Sequence, residues 1–140
     1  MSLINLVRSS FYDDREFEFG TIWTIPDEIV SIPDADRDGS RVEHRYRSVL
    51  IASNNQTNND PLTPVISVIL LSNRVDCLRY GDVELTQERD GVAVDSIVRV
   101  RLLQPVLKAD LVKQVARISN DASEEILLMI EEYFGLSFDD

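Results

Sequence analysis

A single cysteine, Cys77, among 140 residues rules out an internal disulfide, and with a single histidine, His44, it leaves no Cys/His cluster for a metal. No apolar run approaches the roughly 18 residues that a membrane-spanning helix needs. The apolar stretch at residues 3–7 is too short for a signal-peptide core, and acids rather than small residues follow it. A reduced, cytoplasmic location is expected. Positive charge is scarce too: 14 Lys and Arg face 25 Asp and Glu, for a net charge of −11. That balance disfavours unspecific nucleic-acid binding, because phosphate contact needs local positive charge. The deficit is uneven, however. Residues 1–40 hold three basic and nine acidic side chains, residues 41–117 eleven and nine, and residues 118–140 none and seven. A cationic face can therefore form only from the middle of the chain.

What remains is an ordinary globular composition, 44% apolar and 28% charged, in a length that closes one core. Residues 17–25, F-E-F-G-T-I-W-T-I, put Phe17, Phe19, Thr21, Trp23 and Ile25 on one face by period two, and Pro26 ends the strand. Residues 49–52 and 65–71 are apolar runs with the length and β-branched content of buried strands. Residues 82–86 alternate as an edge or hairpin strand, Asp90 and Gly91 signal a hairpin turn, and residues 96–106 form a further strand closed by Pro105. On that strand Arg99 and Arg101 share a face expected to be solvated. Residues 26–43 and 54–61 are rich in turn formers and lack an apolar period, so both read as loops.

The period then lengthens. Leu111, Val112, Val115 and Ile118 suit a short helix. Residues 120–134 suit a longer one, with Ser119 as N-cap, Gly135 past its end, and Ile126, Leu127, Ile130 and Phe134 as its buried stripe. Five or so strands followed by this helix predict a mostly β fold with α (α+β), a small, strongly bent antiparallel barrel capped by the helix. The expected division is an N-terminal arm at residues 1–16 (a short helix or disordered), a barrel domain at 17–136, and a tail at 137–140.

Two stretches invite chemical readings. Residues 44–53, H-R-Y-R-S-V-L-I-A-S, run a basic cluster (His44, Arg45, Arg47) directly into a buried strand, where a rigid core can aim a guanidinium. Arginines in such places also simply keep strand ends soluble. Asp34, Asp36, Asp38 and Gly39 match the opening of an EF-hand calcium loop, but Arg45 occupies the position where that loop requires Glu. With no flanking helices evident, a solvated loop and no metal are expected there.

In their order and spacing the segments resemble the MazF/PemK toxins of type II toxin–antitoxin systems. The matching pieces are Gly20, Thr21, Ile22 and Trp23; the run R-S-V-L-I from Arg47 to Ile51; the strand ending at Ser72; the segment D-G-V-A-V-D-S-I-V from Asp90 to Val98; Gln104 with Pro105; and the ending Phe134, Gly135, Leu136. The resemblance covers about residues 17–136. It implies an SH3-like barrel, a homodimer, and metal-independent, cofactor-free cleavage of single-stranded RNA to 2′,3′-cyclic phosphate and 5′-hydroxyl ends. It also implies an antitoxin protein that neutralises the activity. By position it assigns Arg47 and Ser72 to the cleavage site. A guanidinium's planar fork suits the charge of a phosphorane, and a hydroxyl at the strand end can orient the phosphate. His44, Arg45, Asn73 and Arg74 are the expected RNA contacts beside them. Ser48 stands where the family has proline and Ser72 where it usually has threonine, and the first loop is longer and acidic. The acidic balance also supports a second expectation, a non-catalytic relative that acts through protein contacts.

Overall fold

The computed structural model describes residues 13–136; the expected tail and most of the expected arm lie outside them. Six strands, β1 (Thr21–Pro26), β2 (Tyr46–Ile51), β3 (Val65–Ser72), β4 (Asp82–Leu85), β5 (Ser96–Leu107) and β6 (Lys113–Arg117), form one sheet in the order β4-β5-β3-β2-β1-β6. Every pairing is antiparallel, and the sheet curls into a half-barrel. Among the described residues four helices accompany it: α1 (Pro33–Asp38), α2 (Asn55–Asn58), α3 (Gln87–Asp90) and α4 (Asn120–Tyr133).

The apolar runs are continuous because the central strands are buried on both faces. Val49, Ile51, Val68 and Leu70 join Phe17, Trp23 and Ile25 in one core, while Leu50, Ile69 and Leu71 turn to a second with Ile22, Val98 and Ile126. Trp23 is therefore core. Its ring lies 4.8 Å from that of Phe17, and its Nε1 donates to Thr21 Oγ1 at 3.0 Å.

β5 bends between its two partners, β3 and β4. Its register with β3 puts Ile69 opposite Leu103 but Leu71 opposite Val98, so residues 99–102 bulge away from β3. The N-terminal half of β5 then pairs with the edge strand β4, from Asp82 opposite Arg99 to Leu85 opposite Ser96. Pro105 does not close the strand, which runs on to Leu107. Both backbone groups of the opposing Ser67 are engaged on the β2 side, with Ala52 N and Ser53 Oγ. The Ser67–Pro105 pair is thus one that exchanges no hydrogen bonds, and the missing N–H of Pro105 is not needed there.

Several expectations are corrected. The short helix at residues 111–118 is instead β6, which pairs with β1 from Thr21 opposite Arg117 to Thr24 opposite Lys113. As an edge strand packed on one side only, β6 leaves Val115 46% exposed and shows no clean alternation. The loop at 26–43 contains a 3₁₀ turn (Asp27–Ile29) and α1, which starts with Pro33 and stops at Gly39 in the left-handed region. The polar linker at 54–61 contains α2, capped by the Asn54 side chain and anchored by the buried Asn58. The hairpin turn at Asp90 and Gly91 is instead the end of α3, with Thr86 as N-cap and Gly91 as C-cap. α4 begins at Ser119 as expected, and it packs chiefly against β4 and β5. Ala122 and Ile126 take that narrow contact with Ile130 at its margin, while Leu127 and Phe134 stay 46% and 52% exposed.

The first expected strand divides at Gly20. Thr21 N bonds back to Glu18 O, which sends Phe17 to one core and Phe19 to the other. Gly20 has φ +85°, and a Cβ there would lie 3.1 Å from Ser123 Oγ and 3.5 Å from Ile118 Cγ1. Gly20→Ala is expected to cost about 1–3 kcal/mol, measured as a lower urea midpoint with unchanged slope; a midpoint at or above wild type contradicts the account.

Candidate functional site

The site begins where the double-sided core ends. β2 opens with exposed Tyr46 and half-buried Arg47 before the fully buried Val49. β2 and β3 pair with Val49 opposite Leu70 and Leu50 opposite Ile69, and continuing that register by two residues places Arg47 across from Ser72. Strand end and strand start thus bring a guanidinium and a hydroxyl to the same end of the sheet.

Arg47 is held from behind. Its Nε donates to Asp27 Oδ1, its Nη2 donates to Val42 O at 2.6 Å, and only 16% of its side chain is exposed. Asp27 sits where β1 passes into the 3₁₀ turn, and its carboxylate also accepts from Arg41 Nη2 at 3.1 Å. Burial pushes the Asp27 carboxyl up, but the hydrogen bonds and charges of Arg47 and Arg41 outweigh it and hold it below its ordinary value. Asp27 is therefore a fixed anion that orients Arg47. Arg41 also reaches Val30 O at 2.9 Å and Asp36 Oδ1 at 2.8 Å, which straps the 27–41 segment and its helix α1 against the sheet. Its Nε is buried without a partner.

Two clefts share Arg47, Leu71 and Ser72 in their walls, and both are bordered by Ile32 and Ala35 beside or on α1. One has a volume of about 520 Å³ and brings in His44, Asn73 and Arg74. There the Ser72 hydroxyl accepts from Arg74 N at 3.1 Å, and Arg74 pairs with Asp76 at 3.3 Å. Five of the six residues singled out from the sequence are thus gathered around one opening. Arg45 is not: it stacks 5.3 Å over the Tyr46 ring and faces a separate recess beside Glu28 and Glu43. The other cleft, of about 410 Å³, adds Arg79, Arg99 and Arg101. Arg79 has no signal in the sequence, and Arg99 and Arg101 read there as a solvated strand face; Arg101 is exposed and Arg99 half-buried. The β5 bulge and the approach of the 79–82 segment turn that face to the cleft.

In the acidic loop, the Asp36 and Asp38 carboxylates are engaged by neighbouring donors. Asp36 accepts from Ile32 N and Arg41, and Asp38 from Ser40 N. Among the described residues no group of three or more His, Cys, Asp or Glu is placed to hold a metal ion. None of the described helices is long and apolar enough to cross a membrane.

Against known proteins, no curated sequence matches. The MazF-mt6 toxin of Mycobacterium tuberculosis superposes with a TM-score of 0.62 at 17% identity, covering 84% of this chain and 99% of that one. MazF of Deinococcus radiodurans gives 0.66 at 14% identity, covering 87% and 99%. An endoribonuclease solved in complex with its cognate antitoxin, from a mycobacterial species, gives 0.63 at 14% identity, covering 87% and 98%. Identities this low show a shared fold. The family profile of the PemK-like, MazF-like toxins matches residues 20–134, most of the described chain. The chain belongs to the PemK-like, MazF-like toxins of type II toxin–antitoxin systems.

Proposed function

We propose that this chain is an endoribonuclease that cleaves single-stranded RNA without a metal in the cytoplasm, works as a homodimer, and is neutralised by a cognate antitoxin. The observation that carries the reading is that Arg47 and Ser72 meet in the shared wall of two adjoining clefts. The RNA 2′-hydroxyl attacks the adjacent phosphorus and the 5′-oxygen leaves, giving a 2′,3′-cyclic phosphate and a 5′-hydroxyl. Charge gathers on the equatorial oxygens of the phosphorane. Arg47 meets it with its Nη1 group, which has no hydrogen-bond partner among the described residues, while Asp27 fixes the fork. Ser72 orients the phosphate, and His44 on the rim carries the imidazole suited to moving a proton. Asn73 and Arg74 extend the contact to flanking RNA, and Arg45 meets it from its own recess. The antitoxin follows from relatives solved as MazE–MazF complexes and with a cognate antitoxin.

A second reading, a non-catalytic protein acting through protein contacts, is favoured by the engagement of Arg47 Nε and Nη2 with Asp27 and Val42. Incubation with long single-stranded RNA in excess EDTA separates the two. Fragments at defined sequences support the nuclease; RNA left intact across many sequences supports the second reading.

A further inference from the structure

The two clefts beside Arg47 differ in how much of their positive charge is neutralised. In the larger one, Arg41 is engaged by Asp27 and Asp36, and Arg74 by Asp76. In the smaller one, Arg47 is engaged by Asp27 and Arg99 by Asp82, which leaves Arg79 and Arg101 beside Asp34. Asp82 is an organiser: its Oδ2 accepts from Arg99 Nη1 at 3.0 Å and from Arg79 N at 2.9 Å, and 4% of its side chain is exposed. Arg101 projects from the bulge of β5, and its Nε lies beside Gly81, in ordinary contact at 3.8 Å from where a Cβ would stand. Arg79 and Arg101 are exposed, and neither has an acidic partner among the described residues. Of the guanidinium groups that line the two clefts, Arg79 and Arg101 are therefore the ones without a carboxylate partner among the described residues.

We infer that Arg79 and Arg101 form a second phosphate subsite, which holds a phosphodiester neighbouring the one at Arg47 and Ser72 and so directs the RNA over the β4–β5 end of the sheet. The inference rests on the RNA reading of the site. Leu70, Leu71 and Leu102 floor the cleft between the two subsites and give the intervening base an apolar surface, which a plain anion site does not need. Arg99, locked to Asp82, supplies fixed field rather than a mobile fork. An acidic peptide shares the attraction to guanidinium but has no base for that floor.

The test uses a short, fluorescein-labelled, mixed-sequence RNA, 2′-O-methylated throughout so that no hydroxyl can attack. Its binding is measured by anisotropy between about 50 and 200 mM salt. The Arg79→Ala/Arg101→Ala double variant is expected to bind about tenfold more weakly, with the slope of log K against log salt reduced by about 1.4, because each single-strand phosphate contact contributes about 0.7. Arg79→Lys/Arg101→Lys should keep the slope, and thermal melts should match wild type because both side chains are exposed. An unchanged affinity and slope in the alanine variant overturns the subsite even if the wild type cleaves RNA. Absence of salt-dependent RNA binding by the wild type overturns it as well. Loss of poly-glutamate binding in the alanine variant with RNA binding intact overturns it too and assigns the cleft to an acidic peptide. If unmodified RNA is never cut while binding still depends on Arg79 and Arg101, the nuclease reading fails and the subsite stands.

Discussion

Arg47→Ala is expected to lower RNA cleavage by about 100- to 1,000-fold, the usual scale for removing one donor aimed at transition-state charge. The loss should fall on kcat, because the phosphorane's extra charge exists only in the transition state. Arg47→Lys is expected to recover little of it. A lysine keeps the charge but cannot give one nitrogen to Asp27 and another to Val42 O while presenting a third to phosphate, as the guanidinium can. Because Arg47 is also a structural partner of Asp27, each variant needs a thermal melt beside its rate. Asp27 retains Arg41 at 3.1 Å, so the fold should survive the substitution. Single-turnover kinetics on a cleavable RNA checks the outcome. A folded Arg47→Ala variant that cleaves within about threefold of wild type removes Arg47 from the reaction, since even weak transition-state contacts are worth more.

The second large effect concerns the joint that holds α4 on the sheet. Asp90 is 1% exposed, and its carboxylate accepts from Thr86 N at 2.9 Å, Ser119 N at 3.0 Å and Arg89 Nε at 3.0 Å. One side chain thereby closes α3 and positions the residue that caps α4. Asp90→Ala leaves backbone N–H donors unpaired in a buried place, at a cost of about 3 kcal/mol and a melting temperature lower by about 10 °C. Burial pushes the Asp90 carboxyl up, but the Ser119, Thr86 and Arg89 donors outweigh it and leave it below its ordinary value. A carboxyl depressed by folding adds stability above its unfolded pKa of about 4 and loses that contribution as pH falls through the folded value. The stability gap between wild type and Asp90→Ala should therefore be flat above about pH 4 and narrow below it. A gap that widens on acidification contradicts the assignment.

The parts of the fold legible in the sequence are those whose burial forces a pattern. Val49–Ile51 of β2 and Val68–Leu71 of β3 are apolar without interruption because they are covered on both faces, and α4 announces itself through Ser119 and Gly135. β6 resembles a helix in the sequence because residues 113–117 are an edge: exposure on one side erases the period that would distinguish strand from helix. α1 has no sequence signal because nothing in it is buried; Pro33, Gly39 and the nearby Arg41 hold it, and none of these leaves an apolar stripe. At the site, Arg47 and Ser72 were legible through the resemblance. Their facing placement follows from strand register, which only pairing reveals. Asp27 could not be found in advance, since it gains its role from lying 20 residues upstream and folding back under Arg47. The cleft at Arg79, Arg99 and Arg101 is hidden in the sequence for the same reason, because a bulge in β5 and the approach of residues 79–82, rather than an alternation, bring the three to one opening.

The most direct test of the central claim is the chemistry of the new RNA ends. A long single-stranded RNA is incubated with the protein in excess EDTA, and the fragments are offered to polynucleotide kinase without prior phosphatase treatment. Attack by the 2′-hydroxyl at a phosphate held between Arg47 and Ser72 predicts fragments that label at once, because their 5′ ends are free hydroxyls, with cyclic phosphates at the other ends. No labelled fragments should appear with Arg47→Ala. Intact RNA, or fragments that accept label only after phosphatase has removed a 5′-phosphate, would contradict it.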